Sequence, residues 1–226
     1  MLTIGRRIAL GVLALAMTAG PCAAQDTQFW TALFANGPVE EDGRFLLWFD
    51  GHARYSEDVS RLGVSIIRPG VGYKVNERVS LWAGYAYVVS RADGRDNIID
   101  NRIWQQATYK IASGDWGALT GRARLEQRFL STGDETAHRL RQFVRYSKPV
   151  SPRWTVTGWN ETFIALNDTD AGISSGYDQN RTFMGMRWKP ASRFALEGGY
   201  LLNHINRADG DDSTNHNASL SIVTSF

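Results

Sequence analysis

The chain has 226 residues, with 25 lysines and arginines against 23 aspartates and glutamates, and one cysteine, Cys22. That length suits one domain. The charge balance gives no ground for nucleic acid as a partner despite a sequence pI of about 8.8, and beyond the N-terminal segment no apolar run approaches the roughly 18 residues of a membrane-spanning helix.

The N-terminus reads as an export signal. Arg6 and Arg7 precede an apolar stretch at 8–19, too short to cross a bilayer, and the small residues Ala23 and Ala24 follow. Cleavage is expected after Ala24, giving a signal peptide at 1–24 and a mature domain at 25–226. A lipid anchor on Cys22 is the alternative, disfavoured by Pro21 directly before it. With Arg6, Arg7 and Cys22 in the leader, the mature chain carries 23 basic against 23 acidic residues and no thiol, hence no disulfide and no cysteine metal ligand.

In chain order, residues 27–35 alternate loosely around Trp30. Residues 44–55 divide cleanly, with Phe45, Leu47, Phe49, Ala53 and Tyr55 on one face and Arg44, Trp48, Asp50, His52 and Arg54 on the other. Residues 61–75 contain Pro69, which cannot donate to a ladder. The apolar phase moves there from Leu62, Val64 and Ile66 to Val71, Tyr73 and Val75, so a bulge is expected near 68–70. Residues 79–89 align Val79, Leu81, Ala83, Tyr85, Tyr87 and Val89, and residues 101–111 alternate loosely. The clearest segment is 121–129: Arg122, Arg124, Glu126 and Arg128 face one way, Ala123, Leu125, Gln127 and Phe129 the other. Residues 139–147 set Arg139, Arg141 and Arg145 against Leu140, Gln142, Val144 and Tyr146. After a looser 154–165, residues 179–189 set Gln179, Arg181 and Arg187 against Met184, Met186 and Trp188. Residues 194–202 set Glu197, with Asn203 beyond, against Phe194, Leu196, Tyr200 and Leu202. The last segment aligns Ala218, Leu220, Ile222, Thr224 and Phe226.

Segments of this length with period-two alternation, separated by turn residues, predict an all-β fold: an antiparallel up-and-down transmembrane β-barrel of about 10–12 strands. Apolar residues then face lipid and charged ones the interior, the inverse of a soluble sandwich. Connection lengths support this. Short ones at 76–77, 113–115, 149–153 and 191–193 alternate with long polar ones at 91–100, 131–137, 167–176 and 207–215, as in barrels with short periplasmic turns and long outer loops. Aromatics gather at both strand ends, Tyr73, Trp116, Trp154, Trp188 and Phe194 among those beside short turns, Tyr55, Tyr87, Phe129 and Tyr177 near long loops, as expected of interfacial girdles. The segments number eleven, whereas bacterial barrels carry even numbers. The ten from Arg44 onward close such a pattern, leaving the Trp30 segment as one of twelve strands or as a piece tucked against or inside the barrel.

The final Phe226, closing an alternating strand, resembles the signal read by the outer-membrane barrel assembly machinery, with Thr224 replacing the aromatic usual two places earlier. The chain also resembles a bacterial family designated domain of unknown function 2490. The resemblance rests on Trp30, the stretch Arg68-Pro69-Gly70-Val71-Gly72-Tyr73, the stretch Asn101-Arg102-Ile103-Trp104-Gln105-Gln106, the run from Arg122 to Phe129, Asn160-Glu161, Gln179-Asn180-Arg181 and Phe226. It implies an exported outer-membrane barrel and supplies no catalytic residues.

The residues with chemical content share the inward parity: Arg44, Arg54, Arg102, Arg122, Arg124, Arg128, Arg139, Arg141, Arg145, Arg181 and Arg187, with Asp50, Glu126, Glu161 and Glu197. Two readings stand. Guanidinium–carboxylate forks suit a closed, ion-paired lumen that holds a structural barrel together. The excess of arginine suits a narrow pore for anionic solutes. A lipid hydrolase or acyltransferase is a third reading, resting on Ser131 near His138 and Ser213 near His216, with Glu135 and Asp212 close by. Loop polarity explains these residues without catalysis, so no enzyme, cofactor or metal site is expected. The expected location is the Gram-negative outer membrane, with its lipid, the assembly machinery and a small anionic solute as partners.

Overall fold

Among the described residues, the alternation of inward and outward side chains produces eleven strands: β1 Thr27–Pro38, β2 Phe45–Ser56, β3 Arg61–Lys74, β4 Val79–Ser90, β5 Ile98–Gly114, β6 Gly117–Leu130, β7 Ala137–Pro149, β8 Trp154–Ala165, β9 Gly176–Ala191, β10 Phe194–Ile205 and β11 Ser213–Ser225. They form one closed barrel in sequence order. This computed structural model describes residues 27–41, 43–91, 94–207 and 211–226; the expected leader, its cleavage point and Cys22 lie outside the described residues.

The even strand count expected for a bacterial barrel does not hold, and the Trp30 segment is neither a tucked piece nor one of twelve strands. It is β1, a full member of the wall. When strands alternate direction, an odd number leaves the first and last running the same way, so closure between them must be parallel. Strand β1 accordingly pairs in parallel with β11, from Thr27 opposite His216 to Asn36 opposite Ser225, and antiparallel with β2. Every other pairing is antiparallel, as an up-and-down barrel requires. Strand β1 therefore begins at the long-loop end, opposite the end where β11 finishes.

The bulge expected at 68–70 is also absent. Strand β2 pairs with β3 without a break from Phe45–Tyr73 to Arg54–Val64, with Pro69 opposite Phe49, and the register shifts only beyond Arg54. The apparent change of apolar phase has another cause: Ile66 points inward and is buried, whereas Val71 is exposed on the outer face. An inward apolar side chain mimicked a bulge. The pairing of β3 with β4 skips Arg68 and Pro69 and resumes in the same register, consistent with the missing proline N–H.

Connections at one end run from two to four residues, apart from 39–44, while the longest, at 166–175, lies at the other. One exception at the long-loop end is the turn after β2, where Glu57, Asp58 and Val59 all adopt left-handed φ angles of 53°, 52° and 67°. The outer surface between the ends carries exposed Leu33, Leu47, Ile67, Leu81, Ile103, Leu140, Val144, Leu220 and Ile222. Rings crowd the short-turn rim, with Trp116 stacked on Tyr146 and Trp154 on Trp188. Such an exposed apolar belt is the reverse of a soluble protein's surface.

Candidate functional site: the charged barrel interior

Strand parity sends polar side chains inward at matching heights, so residues from different strands meet across the interior. Asp50 is fully buried and accepts from Arg68 at 2.8 and 3.1 Å and from the Trp48 indole at 2.6 Å, while His52 Nε2 lies 2.8 Å away. Toward the long-loop end, Asp100 accepts from Arg102 at 2.6 Å and Arg128 at 2.7 Å. Glu126 holds the centre. Its two oxygens accept from Arg139 and Arg141, each at 2.7 Å, and Arg102 and Arg124 stand 3.7 and 3.9 Å away. Glu161 accepts from Arg122 at 2.5 Å and Arg141 at 2.9 Å. Glu197 accepts from Arg187 at 3.0 Å and pairs with Arg145.

These contacts run from one carboxylate to the next through shared arginines. Arg141 joins Glu126 to Glu161, and Arg139 joins Glu126 to Asp178 near the long loops. Desolvating such charges is costly, so their hydrogen bonds roughly offset burial rather than adding a large surplus. Losing one member is a different matter, because the others remain buried.

Three guanidiniums are held mainly by rings and amides. Arg54 lies over Trp30 at 4.1 Å, and Arg181 lies 5.0 Å from the same ring and 4.6 Å from Phe163. Arg181 also donates to Asn203 and Gln179 at 3.1 and 3.2 Å. Among the described residues neither Arg54 nor Arg181 has a carboxylate within 4.0 Å. Arg124 lies 4.7 Å from Trp104 and donates from Nε to Gln106 at 2.8 Å, but its Nη1 and Nη2 atoms make no hydrogen bond. Cation–π contact contributes about 0.5–2 kcal/mol per pair, less than a desolvated charge forfeits in water.

Two cavities adjoin this array. One, of about 260 Å3, is lined by Trp30, Arg54, Arg68, Arg122, Arg141, Arg145, Glu161, Arg181, Arg187 and Glu197, with Phe183 and Trp159 on its apolar wall. The other, of about 420 Å3, lies at the short-turn end with Lys74, Arg78 and Lys110 around it. Trp48, Arg122 and Phe143 line both. The first cavity's lining holds seven arginines and two glutamates, an excess of positive charge that its ion pairs do not cancel.

Of the residues singled out by parity, Arg44 is misplaced. It sits on the bend before β2, exposed, and donates to the Tyr73 hydroxyl at 3.3 Å. The alternation extends through it in sequence, but the strand begins at Phe45, so Arg44 belongs to the short-turn rim. Asp50, Arg102, Arg124, Glu126, Arg139, Arg141, Glu161 and Glu197 are buried within the barrel, and Arg54, Arg122, Arg128, Arg145, Arg181 and Arg187 are half-buried there. Phe226 is exposed at the short-turn end. Sequence reasoning missed Arg68 and Asp100. The apparent bulge hides the parity of Arg68, and the polar segment 91–100 reads as a loop through Asp100 although β5 begins at Ile98. The Ser131 hydroxyl accepts from the Ile99 N–H at 3.0 Å.

The barrel shares its shape in part with the translocator domain of the autotransporter NalP from Neisseria meningitidis, at 12% identity, 76% of this chain, 69% of that one and a TM-score of 0.45. For the siderophore receptor PirA from Pseudomonas aeruginosa the figures are 13%, 79%, 34% and 0.33. An uncharacterised protein of Methylorubrum extorquens is 33% identical over 227 residues, covering 97% of this chain and 98% of that protein. Residues 27–214 match the family described as a protein of unknown function, DUF2490. The chain thus belongs to the DUF2490 family.

Proposed function

We propose that the protein resides in the outer membrane, exported by its N-terminal leader, and passes small anionic solutes through a narrow arginine-lined lumen. The observation that carries this reading is the pair Arg54 and Arg181, which line a cavity without any carboxylate within 4.0 Å among the described residues. Arg54 over its ring, and Arg181 beyond its bonds to Asn203 and Gln179, keep N–H donors for a ligand, and a small carboxylate or phosphate would supply the missing charge. Arg78 and Lys110 at the short-turn mouth, beside the Lys74–Glu77 ion pair at 2.7 Å, draw anions toward Arg122, which lines both cavities. At the long-loop side, Asp100, Arg102, Arg128, Glu126 and Arg139 cross the interior as paired charges. Passage requires these pairs to part, so conduction is small.

A structural barrel with a closed lumen is the second reading, favoured by the 0% exposure of Arg124 and Glu126. Planar-bilayer recording separates the two. The anion path requires a small conductance whose reversal potential reports anion preference, and the double variant Arg54→Gln/Arg181→Gln should reduce that preference. Absence of conductance at every salt concentration and voltage would establish the closed reading, and cation preference would sink the anion path.

A further inference from the structure

The outer surface is apolar over much of its circumference; β5–β6 carry one exposed amide pair, Gln105–Gln127, already closed on itself, and the longest polar row runs across β7–β9. There Asn160, Thr162, Asn180 and Thr182 point outward, Asn160 and Thr182 exposed. Asn160 lies midway along β8, between the Trp154–Trp188 stack at one end and exposed Tyr177 toward the other. The group is therefore at mid-depth on the face that meets lipid. Its amides bond among themselves: Asn160 donates to Asn180 and Thr182 at 2.8 and 2.9 Å, and Asn180 donates to Asn160 and Thr162 at 3.1 and 2.9 Å. Those four bonds use both amide hydrogens of each asparagine, so this ladder is largely self-satisfied.

Gln142 completes the row, directly opposite Thr162 on β8 and Ala123 on β6. It is exposed, and its Nε2 donates to the Tyr109 hydroxyl at 2.7 Å and, by a long bond that an intermolecular partner would replace, to the Phe143 carbonyl oxygen at 3.4 Å. Among the described residues its Oε1 accepts no hydrogen bond. Hydrocarbon supplies no donor, and an amide oxygen left bare there costs free energy. We propose that this face, centred on Gln142, is where a second copy of the chain docks in the membrane.

Three features select a second copy. The face carries amides and hydroxyls without formal charge, so it does not call for an ionic partner. A glutamine is self-complementary, since it offers a donor and an acceptor side by side. The chain already forms such a reciprocal pair within one copy, where Gln105 and Gln127 each donate to the other at 3.1 and 3.2 Å. A two-fold axis along the bilayer normal brings Gln142 to its counterpart at the same depth, so the same pair forms between copies. Finally, the ground around it is low. Ala123 and Ala107 stand opposite each other beside it, and a Cβ added at Gly158 would meet only the Phe183 carbonyl oxygen at 3.5 Å. Small residues let two membrane walls approach closely enough for polar groups to bond.

The test uses the full chain with Cys22→Ser in the membranes of cells producing it. Val144→Cys, outward and adjacent to Gln142, should be joined to twice the monomer mass by a short bismaleimide, whereas Leu220→Cys on another face should not. In mild detergent, Gln142→Leu should cut the dimer fraction at least tenfold by sedimentation while heat-modifiable gel migration shows that the barrel still folds. A wild-type chain that stays monomeric at all protein-to-detergent ratios, a dimer indifferent to Gln142→Leu, or crosslinking of Val144→Cys only to a different protein would each overturn the proposal. None of these readouts depends on conductance, so a failed anion path leaves this inference standing, and the converse holds.

Discussion

Replacing Glu126 with Gln tests whether the interior array acts as a connected unit. Glu126 is fully buried and serves Arg139 and Arg141 directly, with Arg102 and Arg124 within 4.0 Å. Removing one partner of a buried pair typically costs about 3–5 kcal/mol. Here the arginines keep other partners: Arg141 retains Glu161 at 2.8 Å, Arg139 retains Asp178 at 3.3 Å and Arg102 retains Asp100 at 2.6 Å. Glutamine also preserves shape and one acceptor. The expected loss is therefore at the low end, about 3 kcal/mol, or roughly 100-fold in the folding equilibrium. Equilibrium urea unfolding in lipid vesicles, followed by tryptophan fluorescence and heat-modifiable migration, measures it as a lower midpoint at unchanged slope. A loss below about 1 kcal/mol would refute the claim that Glu126 is the hub, since the array would then be a set of independent, solvated pairs.

Packing and loop chemistry supply two further expectations. A Cβ at Gly84 would fall 2.3 Å from the Pro69 carbonyl oxygen and 2.5 Å from the Trp104 ring, so Gly84→Ala should cost about 1–3 kcal/mol by overpacking in the same unfolding assay. Gly198→Ala, whose nearest contacts are 3.8 Å away, should be close to neutral. In the loops, Asp170 accepts from the Asp134 and Glu135 N–H groups at 2.8 and 3.2 Å, and Glu135 returns a bond to the Asp170 N–H at 2.9 Å. These backbone donors hold the Asp170 carboxyl below its ordinary range. A lowered folded pKa means the clasp's contribution is fully present above the ordinary carboxylate pKa of about 3.9. It is lost as pH falls through the lower folded value. At neutral pH Asp170→Asn should speed cleavage after Glu135 by a glutamate-specific protease, and an unchanged rate would show that the loops are held otherwise.

The amino-acid sequence by itself determined the alternation, and with it the barrel class, the apolar outer face and most of the inward set, because side-chain direction in a strand depends only on parity. The run from Arg122 to Phe129 was legible for that reason. Parity fails where a strand ends or where an apolar side chain turns inward. Arg44 lies one residue before its strand, and Ile66 imitated a bulge that concealed Arg68. The tertiary structure alone decided closure and pairing. Whether the Trp30 segment joins the wall depends on β11 accepting it as a parallel neighbour, a contact between residues almost the full chain apart. Which arginine meets which carboxylate depends on the heights at which strands from all around the barrel present their side chains. That is why Arg54 and Arg181, indistinguishable from their neighbours in the sequence, emerge among the described residues as two guanidiniums held by a tryptophan ring with no carboxylate within 4.0 Å.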